Sequence, residues 1–140
     1  MWQGKYRKWN PVPHLEDKEF NVEAVHDDAE GFRIWFSNSK AGVVTIVKFD
    51  NVLLYANSDE MYRLTEVKNL ETLKFAHLFW QVEESELIKE FHRQSLEIYK
   101  YLDIKHYVFI SGSACIDVLS ESDPTFNNLI EEGHILFNQL

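Results

Sequence analysis

The stretch Trp80–Leu102, WQVEESELIKEFHRQSLEIYKYL, decides how the rest of the chain is read, because its apolar residues recur at helical spacing. Advancing about 100° per residue from Leu87 places Leu87, Ile88, Phe91, Ser95, Ile98, Tyr99 and Leu102 within an arc of roughly 120°. Glu86, Lys89, Glu90, Arg93, Glu97 and Lys100 fall on the opposite side, so most charges here form a solvated helix face. Ser85 suits the N-cap, since its hydroxyl oxygen can accept a hydrogen bond from an otherwise unpaired backbone N–H. These features predict one long helix over about 86–102. His92 lies at the edge of the apolar arc, compatible with a buried or a solvent-facing ring.

On either side of this helix the period changes to two. Phe20, Val22 and Ala24 alternate with polar residues, Asp27–Gly31 supplies turn chemistry, and Phe32, Ile34 and Phe36 resume the alternation, which predicts a hairpin. Ser37–Lys40 reads as a second turn, and the run Val43–Val47, apolar on both faces, as a central strand. Asp50-Asn51 turns the chain into Val52–Tyr55. Ser58 can cap a short helix with Asp59 and Glu60 in its first turn. Leu73–Phe79 alternates as a further strand, and His106–Ile110 with Cys115–Leu119 forms a final hairpin around Ser111–Ala114. Asp123-Pro124, followed by Phe126, Leu129 and Ile130, has the chemistry of a helix start. Pro11 and Pro13 interrupt the first residues, so 1–19 reads as an arm and 20–140 as a single domain. The expected class is α+β: a mainly antiparallel sheet packed against the long helix and one or two short helices.

At 140 residues the chain suffices for one core without disulfides or metal staples. No apolar run is long enough for a signal peptide or a membrane span, and the lone Cys115 agrees with a reducing compartment, so the expected location is the cytoplasm. The formal charge of −9 is unevenly distributed. Lys5, Arg7 and Lys8 lie in an acid-free start, whereas from His106 onward Asp117, Glu121, Asp123, Glu131 and Glu132 have no Lys or Arg beside them. Such a balance disfavours direct nucleic-acid binding and favours basic protein partners, or simply keeps the chain soluble.

Motifs that name a reaction are missing. The six histidines form no HxH, HxxxH or HExxH pair, so no metal or cofactor is expected. Ser113 and Cys115 follow a strand in SGSACID without the second glycine of a nucleophile elbow, and the glycines form no phosphate cradle. The adjacent acids Asp27-Asp28, Asp59-Glu60, Glu83-Glu84 and Glu131-Glu132 suit turns and helix starts better than a cleft. Trp2, Tyr6 and Trp9 interleave with Lys5, Arg7 and Lys8, a pattern that can stack on bases or fold back on the domain.

Three stretches, WQVEESELIKEFHRQS, HYVFISGSACIDVLS and FDNVLLYANSDEMYRL, resemble a group of small bacterial proteins that includes immunity proteins of contact-dependent growth inhibition and related polymorphic toxin systems. The similar stretches fall between about Phe49 and Ser120. The resemblance implies a cofactor-free protein, not an enzyme, that binds a cognate toxin domain, in the first instance a nuclease, and covers its basic active-site surface. The acidic turns and helix starts then become the candidate contacts: Asp27, Asp28, Glu30, Asp59, Glu60, Glu83, Glu84, Glu121 and Asp123. Trp35 and Trp80, opposite the core phase of their strands, are candidate aromatic anchors, or else they cover the second face of the sheet. A different reading is a small hydrolase using His92 or His106 with a nearby carboxylate.

Overall fold

A computed structural model describes residues 3–9, 11, 20–38, 43–59, 79–111 and 114–130. Its regular elements, in chain order, are β1 (Lys5–Lys8), β2 (Asn21–Asp28), β3 (Gly31–Asn38), β4 (Val43–Phe49), β5 (Val52–Asp59), β6 (Phe79–Glu83), α1 (Glu86–Gln94), β7 (Lys105–Ser111), β8 (Ala114–Ser120) and β9 (Thr125–Ile130). The strands form two antiparallel sheets, ordered β1-β6-β7-β8-β5 and β2-β3-β4-β9. The period-two residues explain the layering. Phe32, Ile34, Phe36, Val47 and Phe49 from the second sheet meet Phe79, Tyr107, Phe109, Ile116 and Val118 from the first in one buried cluster. Rings interlock across it, Phe36 with Phe109 at 5.7 Å and Phe49 with Tyr107 at 5.4 Å between centroids. Burial of each such side chain contributes about 1.5–3 kcal/mol, and favourable ring pairs about 0.5–1.5 kcal/mol more.

This is a sheet-on-sheet sandwich, which corrects the expected α+β class: among the described residues no long helix packs against the sheet. Ser85 does cap α1, accepting the Ile88 N–H at 3.1 Å, but the helix ends at Gln94 instead of continuing to 102. Chain closure explains the difference. Ser85 and His106 lie side by side, with Oγ and Nδ1 2.7 Å apart, so the chain between them must leave and return. An unbroken helix over 86–102 would be ~25 Å long, and the few residues left could span back only ~11 Å. The break uses local chemistry. The Ser95 hydroxyl donates to the Phe91 carbonyl at 2.7 Å, and Leu96 and Glu97 take left-handed φ values of 53° and 66°. Each costs about 1–2 kcal/mol for a residue with a Cβ. Against that cost, Leu87, Ile104 and Leu119 are buried together, with Phe91, Tyr99 and Leu102 packed beside them on the outer face of the first sheet.

Other expectations shift for the same kind of reason. Phe126 and its neighbours form a strand, because pairing with the edge of β4 places Phe126 opposite Val47 and its ring in the core. Ser58 lies within β5, which runs on through Asp59, and its hydroxyl donates to the Cys115 carbonyl at 3.3 Å; the short helix expected from Glu60 onward falls outside the described residues. The strand expected over Leu73–Phe79 falls outside the described residues except for Phe79, which begins β6. The basic start of the chain is β1, paired with β6, and Trp9 packs on Tyr107 and Phe126. Gly4 permits that close approach: a Cβ there would lie 2.5 Å from Val82 Cγ1 and 2.8 Å from the Glu83 carbonyl.

Candidate functional site

Strand direction gathers seven of the nine candidate acids. The connections β2–β3, β4–β5, β6–α1, α1–β7 and β8–β9 all open at one end of the sandwich, because Phe32 pairs with Phe49, Lys48 with Thr125, and both Val52 and Lys105 with Ser120. Asp27, Asp28, Glu30, Glu83, Glu84, Glu121 and Asp123 therefore share one rim, joined by Asp50 and Asp103. Asp59 lies at the opposite end, paired with Ala114, and Glu60 is outside the described residues.

Part of this negative charge is already held. Arg33 grips Asp28 through two hydrogen bonds of 2.8 and 3.0 Å and lies 3.7 Å from Glu30. That bidentate contact, with the Glu30 N–H donating to the same carboxylate, lowers the Asp28 pKa to about 2. Arg7 pairs with Glu83 at 2.9 Å and Lys5 with Glu84 at 3.3 Å, so the basic segment neutralises the acids before α1. Lys105 holds Asp123 at 2.9 Å, and the Tyr107 hydroxyl donates to the same carboxylate. The Asp123 carboxyl is pulled below its usual range, by Lys105 first and then by Tyr107. Burial, reinforced by that carboxylate, pushes the Tyr107 phenol well above its ordinary value. Among the described residues Asp27, Asp50, Asp103 and Glu121 are exposed at the rim without an ion pair, against one such cation, Lys48, so the uncompensated charge there is predominantly negative.

Neither expected tryptophan anchor reaches solvent. Trp80 is buried with Val82 and Val108 on the outer face of the first sheet, and Trp35 is buried on the outer face of the second with His26 against its ring. Among the described residues the large apolar groups that are exposed are different ones: Tyr55 on β5, at 39%, and Leu96 (83%), Ile98 (64%) and Tyr101 (79%) in the connection after α1. An unbroken helix would have turned Ile98 inward, whereas Leu96 and Tyr101 already fall outside its apolar arc; the local signal of the break is Ser95, whose hydroxyl competes for the backbone.

Beneath the rim lies a buried polar relay. Ser85 Oγ is 2.7 Å from His106 Nδ1, and His106 Nε2 is 2.7 Å from Asp117 Oδ1. With the ring neutral, the Ser85 hydroxyl donates to Nδ1 and Nε2–H donates to the carboxylate. The residue types match a nucleophile, a base and an orienting acid. Here, however, the serine oxygen also caps α1 and is buried along with its two partners, so the relay ties the helix start to β7 and β8. His106 also borders a groove of about 440 Å³ with Arg7, Gln81, Glu84 and Lys105. His92 sits half-buried on α1 with its ring near Phe91, and Cys115 is buried. No cluster of three metal-ligating side chains occurs among the described residues, and no helix among them is long and apolar enough to cross a membrane. Comparison with protein-family models, with curated proteins and with solved structures gives no match.

Proposed function

We propose that this chain is a cytoplasmic immunity protein that neutralises a cognate toxin domain, foremost a nuclease, by binding it. The observation that carries the reading is the acidic rim: five connections, distant in sequence, open at one end and leave Asp27, Asp50, Asp103 and Glu121 without internal cations. A nuclease active site is basic because it must hold phosphates, and a fixed array of carboxylates can occupy the same positions. The internal pairs Arg33–Asp28, Arg7–Glu83 and Lys105–Asp123 support the reading in a second way, since they hold the connections in place before a partner arrives.

The test is co-expression with the C-terminal domain of the product of the gene directly upstream, which the reading requires to be basic and toxic. Wild type rescues growth and co-purifies with that domain. Asp50→Lys, Asp103→Lys and Glu121→Lys combined slow association at least 10-fold at low salt and flatten its salt dependence, as loss of steering requires. An upstream product that is neither toxic nor bound overturns the proposal. The hydrolase reading draws on one observation, the contact of His106 with both Asp117 and Ser85. Covalent labelling of Ser85 by a fluorophosphonate would favour it.

A further inference from the structure

The connection between α1 and β7 presents apolar side chains in a shape that the rest of the molecule does not require to be apolar. Leu96, Ile98 and Tyr101 point outward, while Phe91, Tyr99 and Leu102 pack against Leu87, Ile104 and Leu119 beneath them. The same segment therefore has one face that fastens it to the sheet and one that is free. Left-handed conformations at Leu96 and Glu97 divide the two faces. Such conformations in residues other than glycine, held where the surroundings over-determine them, concentrate at functional surfaces. Backbone hydrogen bonds hold the shape: Ser95 N–H to the Phe91 carbonyl, Leu96 N–H to Arg93, Glu97 N–H to His92, Ile98 N–H to Ser95, Lys100 N–H to Glu97 and Leu102 N–H to Tyr99.

Charge around this patch indicates what fits it. Its cations are consumed locally, Arg93 by Glu90, Lys100 by Glu97 at 3.2 Å and Lys105 by Asp123 at 2.9 Å. The free charges beside it, Asp103 directly after the patch and Glu121 and Asp50 on the neighbouring connections, are all negative. We infer that Leu96, Ile98 and Tyr101 are the central anchors of the partner interface, and that their occupant is a protein surface with an apolar socket ringed by Lys and Arg. The inference rests on the binding reading above and specifies where that binding occurs. Apolar and aromatic anchors carry most of the affinity of such interfaces, with a charged rim setting approach and orientation. A second copy of this chain is a poorer occupant, since its acidic surround would face its own like.

The experiment measures affinity of the full chain for the purified basic domain used in the co-expression test. Ile98→Ser combined with Tyr101→Ser weakens binding by about 30-fold or more, the loss expected of a true anchor pair. Thermal melting is measured in parallel, and both positions are exposed, so the fold is retained. Leu96→Gly removes a third anchor and relaxes the backbone at once; it weakens binding while raising the melting temperature, a combination that loss of folding cannot produce. If wild type binds and these variants bind equally well, the assignment of the anchors is overturned and the immunity reading survives. If wild type does not bind the basic domain, both fall. If wild type dimerises and Tyr101→Ser is monomeric, the occupant is a second copy and the inferred partner is wrong.

Discussion

Replacing Ser85 with alanine removes two hydrogen bonds through a single oxygen. The first is the cap to the Ile88 N–H at 3.1 Å, worth about 1 kcal/mol at a helix N-terminus. The second is the contact with His106 Nδ1 at 2.7 Å, and its loss leaves a buried ring nitrogen unpaired at a cost of about 1–3 kcal/mol. The expected destabilisation is therefore about 2–4 kcal/mol, a large share of the roughly 5–15 kcal/mol that stabilises an ordinary domain. Urea unfolding reads it as a lower midpoint at unchanged slope, and heating as a melting temperature lower by roughly 6–12 °C. Two further substitutions divide the effect. Glycine serves as an N-cap almost as well as serine, so Ser85→Gly isolates the bond to His106. Threonine keeps the hydroxyl and both bonds, so Ser85→Thr stays close to wild type. In a double-mutant cycle Ser85→Ala and Asp117→Asn show a coupling of about 1 kcal/mol or more through the shared imidazole. A loss below about 1 kcal/mol for Ser85→Ala, or strict additivity in the cycle, would refute the view that the relay fastens α1 to the sheet.

The Asp28 pKa is lowered from 3.8 to about 2 by Arg33, so its contribution is complete above about pH 4 and is lost as pH falls through 2; Arg33→Gln abolishes that part of the acid dependence of unfolding. Gly4→Ala drives a methyl into Val82 and the Glu83 carbonyl, which costs about 1–3 kcal/mol and, in hydrogen exchange, selectively loosens the β6 amides that face β1. Leu96→Gly relieves a left-handed φ of 53° and stabilises the chain by up to about 1 kcal/mol in urea, whereas the same change at Tyr99, whose side chain is packed below the segment, destabilises it.

The alternating stretches were legible because a strand with one face on a core writes its burial into every second residue: Phe32, Ile34 and Phe36 announce β3 without help from any other element. The hairpin turn at Ala29-Glu30, the N-cap at Ser85 and the charged face of α1 are local in the same sense. Asp27, Asp28, Glu30, Glu83, Glu84, Glu121 and Asp123 were legible as candidates one at a time, whereas Asp50 and Asp103 were not among them. That they share a surface was not, since it depends on which ends of β2, β4, β6 and β8 point the same way.

What composition and period determined by themselves is a chain with strands, one capped helix and an excess of acid. Tertiary structure decided how far the helix runs, which side chains face the solvent, and which polar groups meet. The length of α1 answers to the distance between Ser85 and β7, a constraint of chain closure that no helical wheel contains. That break exposes Ile98, and the outer faces of the sheets take in Trp35 and Trp80. Ser85, His106 and Asp117 meet because strand register, a property of whole sheets, sets them within hydrogen-bond reach across 21 and 11 residues of sequence.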